Sequence, residues 1–239
     1  MTILENLKIP TLNPQRVPIK TLIEQLQPTS QNKRLIETHV ASIYLVSLLN
    51  EQTIHFRAYK DDEYSYQSIY VLQVTLKKDD QLTDLSTQLH SAFPEPTILL
   101  YVHGNKEWIS VAPKRINKVD QTKTVLEDVV VQEIKNSFNQ YLNLTSYSSI
   151  NLKEYYLQIV KLIYKLGVYS LINVFPTVDL DYKPIIKEYQ KIQTNIINLK
   201  EQYKKVTMKA EKLQIDDDIY DEEMKQKKLL RTLKGECIE

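Results

Sequence analysis

Carboxylates placed near a lysine are the residues most able to do chemistry in this chain. The acidic run Asp61-Asp62-Glu63 precedes the apolar-rich stretch Leu72-Gln73-Val74-Thr75-Leu76-Lys77. Acids brought together on neighbouring strands hold a divalent metal, and a lysine two residues beyond the second acid steadies the attacking water. That constellation cleaves phosphodiesters. Here Gln73 stands where the second acid belongs and Thr75 where the lysine belongs. The lysine arrives two residues late, as Lys77, on the same strand face but further along. This departure weighs against metal-dependent cleavage and reads Asp61–Glu63 as a solvated loop.

Other reactive patterns are missing. His39, His55, His90 and His103 are far apart, with no H-E-x-x-H or C-x-x-C spacing to support zinc. His103 reads as a solvent-facing turn residue. There is no G-x-S-x-G elbow. The only glycines are Gly104, Gly167 and Gly235, too scattered to cradle a phosphate. No cofactor and no metal is implied, and a non-enzymatic role is favoured over catalysis. The densest basic cluster outside the helical tail is Pro113-Lys114-Arg115-Ile116-Asn117-Lys118, with Lys123 beyond. Lys114, Arg115 and Lys118 are therefore the candidate contacts to phosphates or to a partner's carboxylates; the plainer reading is a hydrated strand end. Tyr59, Tyr64, Tyr66 and Tyr70 surround one loop, where they would anchor an interface or serve as strand residues with wet hydroxyls.

Bulk properties narrow the setting. The formal net charge of +1 gives no global field toward nucleic acid or membrane. Hydrophobic residues make up 42%, enough for a packed core. The lone cysteine, Cys237, cannot pair internally, which suits a reducing cytoplasm. No basic stretch followed by an apolar run opens the chain, so no signal peptide is expected. Ile159–Phe175, the most apolar long segment, carries Lys161 and Lys165 and is too polar to span a bilayer.

The elements that would position these residues centre on Thr97–Arg115. Ile98–Val102 is apolar throughout, so both its faces should be covered inside a sheet. The turn at His103–Lys106 returns the chain into Trp108–Ala112, predicting a hairpin. Ahead of it, Ile19–Leu26 and the segment from Thr29 or Ser30 to His39 read as helices. Ser42–Leu49, Thr53–Tyr59 and Ser68–Leu76 read as strands. A helix over Leu82–Ala92, capped by Asp79 or Asp80, ends at Pro94 and Pro96. The expected fold is α+β, close to α/β: a mixed five-stranded sheet with covering helices over residues 1–122.

From residue 123 to 239 the pattern turns helical. Thr124–Leu142 places Leu126, Val130, Ile134, Phe138 and Tyr141 at helical spacing, and Leu152–Ile172 repeats it. Across a predicted helix at 181–214, Ile185, Tyr189, Ile192, Ile196, Leu199, Tyr203, Val206, Ala210 and Leu213 keep a 4-3-4-3 rhythm, the coiled-coil pattern. The flanks lack alternating Glu/Lys pairs, and two tyrosines are bulky for a tight parallel seam. An antiparallel helical hairpin, within this chain or against a partner, is favoured over a homodimeric coiled coil or a helix packed on the sheet. Ile185, Tyr189, Ile192, Ile196, Leu199, Tyr203 and Val206 are the candidate seam. The segment beyond Asp216 reads as a short final helix, acidic first and basic last.

Taken together, several stretches resemble a bacterial family of uncharacterised proteins, the domain-of-unknown-function family four-three-nine-one. They are the Pro-rich opening with Lys20, Ser42–Leu49, Thr53–Phe56, Ile69–Leu76, Ile98–Val102, Ala112-Pro113-Lys114-Arg115, and Asn195, Ile196 and Leu199. The family is met beside helicase and DNA-methyltransferase genes in restriction-like defence loci. The resemblance implies a cytoplasmic accessory or adaptor protein of an antiviral system, docking a helicase or methyltransferase through its C-terminal helices. The alternative is a nucleic-acid-binding or restriction-endonuclease-like nuclease subunit. Family members often carry an acid just before the position of Ile69, where this chain has Ser68.

Overall fold

The computed structural model describes residues 2–121 and 123–238, the last three of these by backbone alone. The chain divides into two compact units, Met1–Ile163 and Tyr164–Glu239.

The first unit opens with helix α1 (Ile3–Leu7), capped by a reciprocal Thr2–Glu5 box, and the two-residue strand β1 (Gln15–Arg16). Helices α2 (Ile19–Leu26) and α3 (Ser30–His39) follow, the latter capped by Thr29 accepting from the Asn32 amide. Strand β2 (Val40–Leu49) ends where the Asn50 side chain accepts from the amides of Gln52 and Thr53. That cap starts the one-turn helix α4 (Glu51–Ile54), so the strand expected over Thr53–Tyr59 does not form. Only a small hairpin follows, β3 (Tyr59–Lys60) with β4 (Ser65–Tyr66). The chain then runs through β5 (Ile69–Leu76), α5 (Leu82–Ser91), β6 (Thr97–His103), β7 (Lys106–Val111), β8 (Lys114–Ile116), β9 (Thr124–Leu126) and β10 (Val130–Ile134).

The main sheet has six strands in the order β1-β2-β5-β6-β7-β10. β5 and β6 are parallel, as a strand–helix–strand crossover through α5 requires, and the other pairs are antiparallel. The α+β class with a mixed sheet is thus present, with six strands instead of five. β6 lies inside the sheet and its residues 97–101 are fully buried, matching its unbroken apolar run. One face, with Leu72, Val74, Leu99, Tyr101 and Trp108, packs with Leu22, Ile36, Leu85 and Leu89 of α2, α3 and α5. Val71, Ile98, Leu100, Ile109 and Val111 on the other face are buried as well. The hairpin turn between β6 and β7 is the two residues Gly104-Asn105, with Gly104 at φ 58°, where a side chain would be strained.

The helix expected over Thr124–Leu142 is replaced by β9, β10 and a 3-10 turn at Asn136–Tyr141. A spacing of four suits both periods: Leu126, Val130 and Ile134 share a helix face and equally a strand face. The valines at 125, 129, 130 and 131 settle the matter in favour of strand. β10 completes the sheet edge against β7, so sheet structure continues past residue 122. Asp79 and Asp80 do not cap α5 either. Gln81 takes that position, while Asp79 pairs with Lys106 at 2.8 Å and Asp80 meets His39 Nε2 at 3.1 Å.

Helix α6 (Leu152–Ile172) begins in the sheet unit and ends in the second. The second unit continues with α7 (Lys183–Lys205) and α8 (Lys209–Ile238), which pack on each other. The continuous helix expected over 181–214 is therefore broken at Val206-Thr207-Met208. Two consecutive β-branched residues lower helix propensity there, and reversal lets α8 cover the apolar stripe of α7. The short final helix is instead the 30 residues of α8. Among the described residues no helix is long and apolar enough to cross a membrane.

Candidate functional site

The basic cluster at the end of the hairpin divides as soon as its side chains are placed. Ala112 and Pro113 join β7 to β8, and the side chain of Lys114, the first residue of β8, turns inward, leaving the residue 2% exposed. Its ammonium donates to the carbonyls of His90 (2.7 Å), Phe93 (2.6 Å) and Glu95 (2.7 Å), with Thr97 Oγ1 at 3.4 Å. These carbonyls lie at the C-terminal end of α5 and in the proline-flanked link to β6, where a helix leaves acceptors unpaired and favours a cation. Burial pushes the Lys114 amine down to about 7, opposed by the nearby Glu95 carboxylate. Burial also raises Glu95, against hydrogen bonds from the Ser68 and Gln67 amides. Lys114 is therefore a staple between β8 and the α5–β6 link, and its expected contact with phosphates or a partner is corrected: the group is inside the protein.

Arg115 is half-buried, and Lys118 is exposed but 3.3 Å from the Glu63 carboxylate. Lys123 pairs with Asp120 at 3.0 Å. Among the described residues, no open group of three cations comes together at this strand end.

Beside Lys114 lies a polar interior that its neighbours complete. His90 Nε2 is 3.0 Å from Ser110 Oγ, and burial drives the ring well below its ordinary range. The Tyr156 hydroxyl accepts from the Ala112 amide (2.9 Å) and donates to the Thr97 carbonyl (2.8 Å), tying α6 to the sheet. Tyr66 stacks at a tilt 5.7 Å from Tyr156. No sequence pattern announces this cluster, because its partners come from distant segments and half of them are main-chain groups.

The acidic loop is bound up in its own turn. Asp61 accepts from the Tyr59 hydroxyl (2.5 Å) and the amides of Glu63 (2.8 Å) and Tyr64 (2.6 Å). The Tyr59 hydrogen bond is the main influence holding the Asp61 carboxyl below its usual range. Lys153 lies 3.8 Å from it and sits over the rings of Tyr64 (3.7 Å) and Tyr59 (4.6 Å). Two of the loop tyrosines are thus engaged with a lysine of α6. Lys77 donates to the Glu37 carbonyl at 2.8 Å. Among the described residues no three His, Cys, Asp or Glu side chains gather to hold a metal.

In the helical unit the candidate seam does pack, on a helix of the same chain. Ile192 and Ile196 are buried, while Ile185, Tyr189, Leu199, Tyr203 and Val206 are half-covered. Ile215 and Leu233 of α8 are buried in turn. Across the hairpin Asn195 donates to Glu222 (3.2 Å), Lys200 pairs with Glu223 (2.9 Å), and Lys212 lies 5.0 Å above the Tyr203 ring. Hydrogen bonds from Lys225 and Asn195 hold Glu222 below the usual range, as Lys200 does Glu223. Ala210 and Leu213, expected on the same seam, fall beyond the reversal and are exposed.

What the heptad pattern missed is the other side of α8. Leu213, Tyr220 and Met224 are 59%, 62% and 43% exposed, and their spacing of seven and four places them on one helix face. Ile215, Ile219 and Leu233 occupy the opposite face. The signal was in the sequence, masked because Leu213 also fits the seam of α7.

A family model described as Domain of unknown function (DUF4391) matches residues 8–225. No curated protein and no solved structure matches the chain. Because that match runs through nearly all of the sheet unit and most of the helical one, the chain belongs to the family described as Domain of unknown function (DUF4391).

Proposed function

We propose that this protein is a non-enzymatic accessory component that docks a partner protein through its helical unit. One observation carries the reading. After α8 has covered the heptad seam, Ile197, Met208, Leu213, Tyr220 and Met224 remain exposed on the two helices and their link. The exposed large apolar side chains described in the sheet unit are Leu12, Val119, Ile150 and Leu157, four over a unit twice as long. Apolar side chains gathered on one small unit and interspersed with charge are the composition of an interface. The resemblance to a family met in restriction-like defence loci supplies the partner class, a helicase or DNA methyltransferase encoded beside it, and a bacterial cytoplasm as the setting.

Capture by the tagged full-length chain of the proteins encoded by its gene neighbours tests this. The expected result is capture that Ile197→Asp with Met208→Asp abolishes and Val119→Asp leaves intact. Capture that survives every substitution on the helical unit would contradict the docking role. The nucleic-acid reading is left to Arg115 and Lys118 in the basic cluster, since Lys114 is spent on carbonyls. Duplex binding that weakens steeply with salt and is lost in Arg115→Ala with Lys118→Ala would replace the docking reading.

A further inference from the structure

Over residues 216–234 the charges of α8 are sorted by sign. Asp216, Asp217, Asp218, Asp221, Glu222 and Glu223 precede Met224, and Lys225, Lys227, Lys228, Arg231 and Lys234 follow it. Glu222 and Glu223 are engaged with Lys225, Asn195 and Lys200. On the face turned away from α7 the positions 213, 217, 220, 224, 227 and 231 repeat at spacings of four and three. Every one of them is exposed. This stripe is apolar or aromatic at Leu213, Tyr220 and Met224, acidic at Asp217, and basic at Lys227 and Arg231.

We infer that this outer face of α8 pairs with the same face of a second copy of the chain, antiparallel, about a two-fold axis at Met224. The inference rests on the proposed docking role of the helical unit and names the occupant of one of its faces. Charge complementarity selects this occupant and this direction. Asp217 lies seven residues before Met224 and Arg231 seven after; Asp221 lies three before and Lys227 three after. In an antiparallel pair, residues equally distant from the axis come opposite each other, so each Asp217 meets the Arg231 of the other copy and each Asp221 its Lys227. Tyr220 comes opposite Lys228 by the same rule, a ring beside a cation. Met224 meets its own copy on the axis. A parallel pair would set acid against acid and base against base along the whole stripe. The antiparallel arrangement is isologous, so each favourable pair occurs twice and the assembly closes at two copies. A stripe half apolar and half charged gives a concentration-dependent dimer whose strength falls with salt.

Sedimentation of the purified full-length chain across a concentration series, at low and high salt, tests it. The expected result is a monomer–dimer equilibrium that salt shifts toward monomer. Asp217→Arg loses two pairs and creates two like-charge ones, so it should weaken the dimer by about tenfold. Arg231→Asp should do the same, and the double variant Asp217→Arg with Arg231→Asp should restore it. Circular dichroism should be unchanged in all three, because both positions are exposed. A monomer at every concentration, a dimer indifferent to salt, or a double variant that does not recover would each overturn the pairing. The neighbour-capture experiment is independent of this one. Dimer without capture rejects the adaptor reading alone, and capture by a monomer rejects the self-pairing alone.

Discussion

At the residue scale, the lysine that the sequence offered to phosphates closes a gap in the protein's own backbone. Lys114 donates to three carbonyls at the end of α5 and in the link to β6, one of them that of the proline-flanked Glu95. Lys114→Met removes the ammonium from the His90 and Phe93 carbonyls and leaves Glu95 only the Thr97 hydroxyl, which should cost about 3 kcal/mol in urea unfolding. The pH dependence follows from burial. The folded amine sits at about 7 and the unfolded one at 10.5, so between these values the unfolded chain holds the extra proton. Stability therefore rises with pH through that window and is fully gained above it; on acidification the loss begins near 10.5 and is complete by about 7. Unfolding measured at pH 7 and pH 10 should show the rise in the native chain and a smaller one in Lys114→Met. Tyr156→Phe should lose about 1–3 kcal/mol, because it abandons the Ala112 amide in a dry interior. None of this was legible from residue types. A Pro-Lys-Arg run looks like a wet strand end, and its acceptors are main-chain atoms in another segment.

At the element scale, periodicity was informative where one period alone fitted. Ile19–Leu26, Ser30–His39, the hairpin of β6 and β7, and the Leu152–Ile172 helix appear essentially where the apolar spacing and caps placed them. It misled where four-residue spacing fitted two periods, at Leu126–Ile134. It misled again where a seam continued in register through a chain reversal, since Ala210 and Leu213 keep the rhythm of α7 while belonging to α8. Thr53–Tyr59 alternates well, yet the Asn50 cap hydrogen-bonds its first residues into a helical turn. The hairpin gives its own predictions. Ile196→Ala removes a buried anchor between α7 and α8 and should cost about 2 kcal/mol, read as easier proteolysis at Val206–Met208. Glu222 and Glu223 are held below 4.5 by their partners, so their contribution is present above that pH and lost as pH falls through their folded values. Helical signal from the hairpin should weaken on acidification below pH 4.5, and less so in Glu222→Gln with Glu223→Gln.

For the whole molecule, the two units divide the work by composition. The sheet unit spends its apolar run, Ile98–Leu100 above all, on a core sealed on both faces, and its polar interior on stitching α5, α6 and the strand ends together. The helical unit closes one stripe internally and leaves another outside. Fold class was legible because binary patterning records burial; the proposed docking surface was not, because an apolar stripe in a sequence does not say which helix will cover it. The helical unit as docking part is tested most directly by hydrogen exchange on the full chain, alone and with the protein captured from its gene neighbourhood. The expected result is new protection confined to residues 183–235, with the amides of β5, β6 and β7 unchanged. Protection that appears on the sheet unit instead, with α7 and α8 exchanging as before, would contradict it.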